Sequence, residues 1–333
     1  MKAMMLTAGL GTRLRPVTER FAKPAVPFLN VPLFYFPIAL MEELGVTSLV
    51  LNTHHKPEQI EMLAQRIPGA HYPIAFSNEA AAPLGSGGGI WQARALLEGG
   101  GDFLVSNGDE VILPRDPQVM KRFHDDHVAS GALATILVME HPLVGSQFGG
   151  VWAKNDGTVL GFGKDSKKFD HADRGYHYIG LLLLSDRIFD FLPSGESNIL
   201  YDAISAAITK GEKVRAVVGD FTWYETGNPH DFLTATADAL KLYTEGAGED
   251  AKALHRICDR FWPKGTTLGR DPDGALVLKC ASSIVDDGAL MRGFVVLGEN
   301  AHIERGAKIE NAVLLPGARV FRPHSNAILI PSS

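Results

Sequence analysis

The sequence has little of what marks a secreted, membrane-spanning or nucleic-acid-binding protein. Only two cysteines, Cys258 and Cys280, occur in 333 residues. They form no Cys-x-x-Cys pair, so neither a disulfide framework nor a zinc site is indicated. A reduced, cytoplasmic setting fits that scarcity. No apolar run approaches the roughly 20 residues of a membrane-crossing helix. Lys2 leads into Ala3-Met4-Met5-Leu6, but this run is too short for a signal-peptide core and passes straight into Gly9, Gly11 and Arg13. Positive charge is scarce as well. Lys and Arg number 32 against 38 Asp and Glu, a net charge of −6. No broad basic field is therefore present to hold nucleic acid. A nucleotide needs only a few local cations and is not excluded.

What is present has the length of about two domains. The first half alternates strand and helix signals. Residues 3–7, 48–52, 103–106 and 133–139 are short apolar runs that read as strands, as does the apolar block 181–184. Helical spacing over residues 34–44 stops at Gly45, and Pro57 opens a second helix through residue 67. Apolar strands separated by helices predict an α/β fold, a Rossmann-like mixed and mostly parallel sheet flanked by helices. Ligands of such sheets bind at the carboxyl ends of the strands. The loops after Thr7, Asn52 and Asn107 are expected to face one cleft. Residues 197–210 and 230–243 read as helices, 213–218 as a strand, and 245–264 as a linker with some helix.

The periodicity then changes. Val285, Met291, Leu297, Ile303, Ile309, Leu315 and Phe321 recur every sixth position, punctuated by Gly298, Gly306 and Gly317. A period of six is neither helical nor simple strand alternation. It matches hexapeptide β-helix repeats, and accidental spacing in a run of hairpins is the lesser alternative. Leu297, Ile303, Ile309 and Leu315 are expected to point inward, with His302 and His324 outward.

The most informative segment runs from Leu6 to Pro16, with Lys23 and Pro24 following. Gly9 and Gly11 let backbone approach a phosphate or base closely, and their amides can cradle anionic oxygens. Arg13 and Lys23 add positive charge beside them. A Rossmann fingerprint needs a third glycine where Leu14 stands, which disfavours a dinucleotide-dependent dehydrogenase. A Walker A loop needs Gly-Lys-Ser/Thr, which is missing. Asp109, after an apolar strand and a small Gly108, can project into the cleft and hold a hard cation.

These residues resemble the signature of the sugar-phosphate nucleotidyltransferases, and they do so in the family's order. The opening motif is Ala8-Gly-Leu-Gly-Thr-Arg-Leu-Arg-Pro-Val-Thr18, then Lys23-Pro24 and Asn30-Val-Pro32. Leu84-Gly-Ser-Gly-Gly-Gly-Ile90, Asn107-Gly-Asp109, Phe148-Gly-Gly-Val151, Tyr178-Ile-Gly180 and Trp223-Tyr-Glu-Thr-Gly227 follow. The resemblance covers about the first 240 residues, and the tail is similar to the left-handed β-helix of many members. It implies a catalytic domain over 1–244, a linker over 245–264 and a short C-terminal left-handed β-helix over 265–333. Within the family, parts of the sequence look like mannose-1-phosphate guanylyltransferases and others like N-acetylmuramate-1-phosphate uridylyltransferases.

The resemblance further implies the reaction. A phosphate oxygen of a sugar-1-phosphate attacks the α-phosphorus of a nucleoside triphosphate, and pyrophosphate leaves. Arg13 and Lys23 would be catalytic. Leu6, Ala8, Gly9, Gly11, Thr12, Asn78, Gly85, Gly87 and Gly88 would bind the nucleotide, with Asn78 and Glu79 near the base edge. Asn107, Gly150, Lys164 and Gly180 would bind the sugar phosphate. Asp109 and Glu225 would hold Mg²⁺. GTP with mannose-1-phosphate is the leading pair, and a UTP-dependent uridylyltransferase acting on N-acetylmuramate-1-phosphate or another hexose-1-phosphate is the alternative. No nucleic acid or membrane partner is expected, and the β-helix is expected to build a homo-oligomer.

Two departures from the family pattern keep other classes open. Glu225 stands where an Asp is usual and reaches about one methylene further. Phe162-Gly-Lys-Asp-Ser166 replaces the usual Phe-x-Glu-Lys-Pro, which leaves Lys164, Lys167 or Lys168 as the substitute cation. Both motivate a rival, a non-catalytic nucleotide-sugar-binding regulator. A bifunctional acyltransferase would need more coils than the tail offers. His124 and His127 are expected on a solvated helix face, and His54 and His55 in a surface turn. Trp91 and Phe36 are expected in the core.

Overall fold

Short apolar runs become strands covered on both faces. The computed structural model describes residues 1–79 and 82–331. Nine strands form the central sheet: β1 (Lys2–Leu6), β2 (Ser48–Thr53), β3 (Ile74–Asn78), β4 (Phe103–Asn107), β5 (Ala134–Met139), β6 (Gly150–Ala153), β7 (Val159–Gly163), β8 (Arg174–Leu184) and β9 (Val214–Val218). The order is β7-β6-β8-β4-β1-β2-β3, with β5 on β8 and β9 on β5. The centre, β4-β1-β2-β3, runs parallel. Side chains alternate across a strand. Ala3, Met5, Leu49, Leu51 and Leu104 enter one core, while Met4, Val50, Phe103 and Val105 enter the other. Both faces being buried explains why these strands read as unbroken apolar runs.

Register places the strand ends side by side. Leu6 pairs with both Asn52 and Asn107. The turns that follow β1, β2 and β4 therefore leave the sheet at one level. β8 is long and changes partners along its length. Leu181–Leu184 pairs with β4, while Arg174–Tyr176 pairs with β6. Its pairing with β5 is interrupted between Tyr178 and Leu182, around Gly180 with φ +86°.

Residues 245–264, read as a linker, contain a 13-residue helix, Glu249–Phe261, that is part of the main core. Ala253, Leu254, Ile257, Cys258 and Phe261 lie on its buried side, and Phe261 stacks on Tyr35 at 4.5 Å. Most charged residues of that segment lie off the buried side, which gave it the composition of a linker, while Asp250 is buried and accepts from Thr222 Oγ1.

The tail folds as two stacked parallel layers. Leu276–Lys279, Leu290–Leu297, Lys308–Leu314 and His324–Leu329 form one, with Thr267–Arg270 antiparallel at its edge. Ile284–Val285, His302–Ile303 and Arg319–Val320 form the other. Met291, Leu297, Ile303 and Ile309 fill the space between. The six-residue phase then slips. Gly293 and Phe294 together oppose Asn311, so Leu297 pairs with Leu314 and Ile303 with Val320. Leu314 and Val320 take the inward places, Phe321 is exposed, and Leu315 is buried in the main core instead. His302 is partly buried, its Nε2 2.9 Å from Asp286 Oδ1. Leu278, Val296 and Val313 also join the main core. Asn30 Nδ2 donates to Leu297 O at 3.0 Å, and Trp262 Nε1 to Leu29 O at 2.7 Å. Each fully buried Leu or Val adds about 1.5–3 kcal/mol, so tail and body stabilise each other.

Candidate active site

The turn after β1 is shaped by one glycine. Gly11 sits at φ +60°, and a Cβ there would meet Thr18 Cγ2 at 2.8 Å and Lys23 Cβ at 3.0 Å. Thr18 Oγ1 donates to Gly11 O at 2.9 Å and closes the loop. The loop is folded back against Lys23, whose Nζ lies 2.5 Å from Asp109 Oδ2. Burial alone would lower the Lys23 pKa. The Asp109 carboxylate outweighs it, helped by Glu110 and Glu225, and holds the ammonium above its ordinary range. Gly108 lets the β4 end pass close to Thr7, since a Cβ would meet Thr7 Cγ2 at 2.6 Å.

These groups surround a cleft of about 400 Å³ at the carboxyl ends of β1, β2 and β4. Of the residues singled out in the sequence, Leu6, Ala8, Gly9, Gly11, Thr12, Arg13, Lys23, Gly85, Asn107 and Asp109 line it. Thr7, Asn52 and Asn107, the three strand ends, all reach it. Beneath them runs a hydrogen-bonded brace. Thr7 N donates to Asn52 Oδ1 at 2.7 Å, Asn52 Nδ2 to Glu79 Oε1 at 2.6 Å, and Leu84 N to Glu79 Oε2 at 2.7 Å. Glu79 is 2% exposed, so it ties β2 to the glycine-rich segment. Asn78 lies exposed outside the cleft, its carbonyl accepting from Gln92 Nε2.

Gly87 and Gly88 also lie away from the cleft. They belong to the Gly85–Gln92 helix, which packs against residues 195–199. A Cβ on Gly87 would come 2.6 Å from Ser197 Oγ, and one on Gly88 would overlap the Gly195 carbonyl. Glycine inside a helix costs about 1 kcal/mol against alanine. Here it permits backbone contact that no other residue allows. The helix thereby delivers Gly85 and Ser86 to the cleft.

A second compartment of about 500 Å³ shares Ser86 and Asn107 with the first. Gly150, Phe148, Val151, Phe162, His177, Tyr178, Asn198 and Tyr201 are among its walls. A π-helical turn, Ile199–Ile204, starts at Asn198, whose Oδ1 accepts from the amides of Leu200 and Tyr201. Tyr201 Oη crosses above Gly149, where a Cβ would come within 2.7 Å. The described lining holds no Lys or Arg. Lys164, Lys167 and Lys168 are exposed and outside it. Gly180 is buried behind the wall, its Cα against Glu110 and Asn107.

Four rings cluster at that wall, two of them, Phe148 and His177, lining the compartment. Trp223 lies 4.7 Å from His177 and 5.8 Å from Phe148 and His141. Burial, with His141 adding to it, pushes His177 down to about 4. Trp223 Nε1 donates to Glu110 Oε2 at 2.9 Å, and Asn107 Nδ2 to Glu110 Oε1 at 3.0 Å. Burial first, then the Asp109 charge, raises Glu110 to about 7. Sequence reasoning passed over Glu110. Its one signal was a second carboxylate directly after Asp109.

Glu225 stands behind Gly227. Its Oε1 accepts from Gly227 N at 2.6 Å, and a Cβ on Gly227 would strike both that oxygen and Arg13 Nη2. Arg13, Lys23, Asp109 and Glu225 thus converge from three loops. Among the described residues no three His, Cys, Asp or Glu form a metal cage. Mg²⁺ commonly takes one or two carboxylates and completes its shell with water and substrate phosphates. Asp109 lines the cleft and Glu225 lies against Gly227, which also lines it, and two such carboxylates fit that donor set.

Four discounted residues differ from expectation. His127 is 2% exposed, with Nδ1 2.8 Å from Thr135 Oγ1, so it faces the core while His124 faces water. His54 and His55 are partly buried ties to Glu79 O and Thr18 O. Trp91 is 37% exposed, whereas Phe36 is fully buried.

The family model for nucleotidyl transferases matches residues 2–241. A probable mannose-1-phosphate guanylyltransferase 3 of Oryza sativa subsp. japonica is 30% identical, over 94% of this chain and 86% of its own length. A UTP–glucose-1-phosphate uridylyltransferase of Synechocystis sp. is 28% identical, over 96% of this chain and 86% of its own. A solved UDP-glucose pyrophosphorylase from Acinetobacter baumannii superposes with a TM-score of 0.61 at 20% identity. That match covers 77% of this chain and 97% of the other, and it shows a shared fold.

Proposed function

The chain belongs to the nucleotidyl transferase family, and from that premise we propose that it joins a sugar-1-phosphate to a nucleoside triphosphate and releases pyrophosphate. The observation that carries the reading is the meeting of Gly9, Gly11, Arg13 and Lys23 with Asp109 at level strand ends. GTP and mannose-1-phosphate are the leading pair, supported by the relatives at about 30% identity. A uridylyltransferase is the second reading, supported by the Synechocystis relative.

In this reading the first compartment takes the nucleotide and the second takes the sugar. Arg13 binds the pyrophosphate side, and Lys23 exchanges Asp109 for the α-phosphate. Asp109 and Glu225 would hold Mg²⁺, which supplies neutralisation of the phosphate charge. Positioning and charge neutralisation account for such transfers without a covalent nucleophile. With no cation lining the second compartment, the sugar's phosphate points to the junction, toward Lys23. The division into 1–244, 245–264 and 265–333, a left-handed coil in the tail, a cytoplasmic setting and a homo-oligomer built through the tail belong to the same reading. Light scattering of the full-length protein tests the last; a monomer refutes it.

The test of function is a pyrophosphate-release screen of four nucleotides against mannose-1-, glucose-1- and N-acetylmuramate-1-phosphate with Mg²⁺. Release with GTP and mannose-1-phosphate is expected. Silence with every pair would favour the regulator.

A further inference from the structure

Asn107 ends β4 and lines both compartments. Which amide atom it presents decides what it binds, because the nitrogen donates and the oxygen accepts. Two contacts and an unbonded oxygen fix that choice. Nδ2 donates to Glu110 Oε1 at 3.0 Å. The same nitrogen lies against Gly180, where an added Cβ would come within 3.0 Å of it and 2.7 Å of Glu110 Cγ. Oδ1 makes no hydrogen bond among the described residues and is not sealed from solvent. Glu110 Oε1 accepts in this contact, so turning the amide over would set two accepting oxygens against each other and lose a bond. The other Glu110 oxygen takes Trp223 Nε1, and Trp223 packs behind His177 and Phe148 on the sugar side.

We propose that Glu110 is a positioning residue that turns Asn107 so that its Oδ1 accepts a hydrogen bond from a hydroxyl of the sugar. Glu110 lines neither compartment and acts through Asn107 and Trp223. The group recognised is a hydroxyl and not the phosphate, because an accepting oxygen attracts a donor and repels an anion. The sugar is assigned over the ribose because Trp223, the second partner of Glu110, braces the sugar wall. The inference rests on the transfer reading for the identity of the ligands.

The test compares Glu110→Gln with the full-length wild type in the pyrophosphate-release assay, each substrate varied in turn. A glutamine can donate to Asn107 Oδ1, which turns the amide and presents the wrong atom. The KM for the sugar phosphate is expected to rise about tenfold, as for loss of one well-placed hydrogen bond. The KM for the nucleotide stays within about twofold, and the thermal melt is little changed. Trp223→Phe keeps the ring and removes the N–H. A smaller rise is expected there, and less than additive effects in the double variant. In a set of monodeoxy sugar phosphates, one is expected to bind more weakly to the wild type yet no more weakly to Glu110→Gln. An active wild type whose sugar KM is unmoved by Glu110→Gln overturns the role of Glu110. So does a loss confined to melt and kcat. A wild type that releases no pyrophosphate with any pair refutes the transfer reading itself, a separate result.

Discussion

Replacing Asp109 by Asn keeps the size of the side chain and removes its charge. Two effects on folding oppose each other. Lys23, with 14% side-chain exposure, loses a carboxylate 2.5 Å away. A hydrogen bond to a charged group is worth about 1.5–3 kcal/mol. Solvent screening reduces that figure here, because Asp109 is 27% exposed. Against the loss, Glu110 is freed from the like charge that helps raise its pKa. The expected net change is below about 1 kcal/mol, a shift in Tm of no more than roughly 2–4 °C for a chain of this size. Catalysis has no such compensation. Removing a main electrostatic stabiliser costs about 10²–10³-fold in turnover, or about 2.7–4 kcal/mol of barrier. The assay is pyrophosphate release at saturating substrates across a Mg²⁺ titration, beside a thermal melt. The expected result is a fall of at least about 10²-fold with a nearly unchanged melt. Near-normal, Mg²⁺-dependent turnover in Asp109→Asn would refute the reasoning and remove Asp109 from the metal site.

Arg13→Ala and Lys23→Ala should both slow transfer, Lys23→Ala more, since Lys23 is assigned to the reacting phosphorus; wild-type turnover and triphosphate affinity in both would discard the loop assignment. Gly88→Ala drives a methyl into the Gly195 carbonyl, a cost of about 1–3 kcal/mol. Because the displaced helix carries Ser86 to both compartments, both KM values should rise; an unchanged melt counts against the packing argument. His177 is held at about 4 when folded, below its ordinary value of about 6.5. The unfolded chain therefore takes the proton first, and wild-type stability falls as pH drops from about 6.5 toward 4. In His177→Gln the fall through that window should be shallower; equal slopes by denaturant unfolding would clear His177.

Much of the site was legible because it depends on local rules. Residues 3–7, 48–52 and 103–106 are apolar enough to be buried strands, and the polar residues at their ends, Thr7, Asn52 and Asn107, come to one cleft. The glycine loop was legible because Gly11 meets a steric need that its own neighbours create. What stayed hidden depends on partners distant in sequence. Gly87 and Gly88 look like ligand-facing glycines, yet their contact is residues 195–199, over a hundred positions away. Glu110 looks like an ordinary turn acid until Trp223 arrives from another strand. The Glu249–Phe261 helix has the composition of a linker because only one side of it is buried. The tail obeyed its six-residue spacing up to Ile309, and a single surplus residue at Gly293–Phe294 then moved Leu315 from the coil interior into the body.

Ser86 and Asn107 belong to both compartments, so the two are adjoining halves of one trough. A ligand long enough to reach from one half to the other displaces two smaller ones together. Under the proposed reaction, the nucleotide sugar is such a ligand. It competes with the triphosphate and with the sugar phosphate alike, and each turnover waits for it to depart. When downstream consumption falters, the accumulating product throttles its own synthesis. This brake needs no second subunit and no separate effector pocket; it follows from the shared wall.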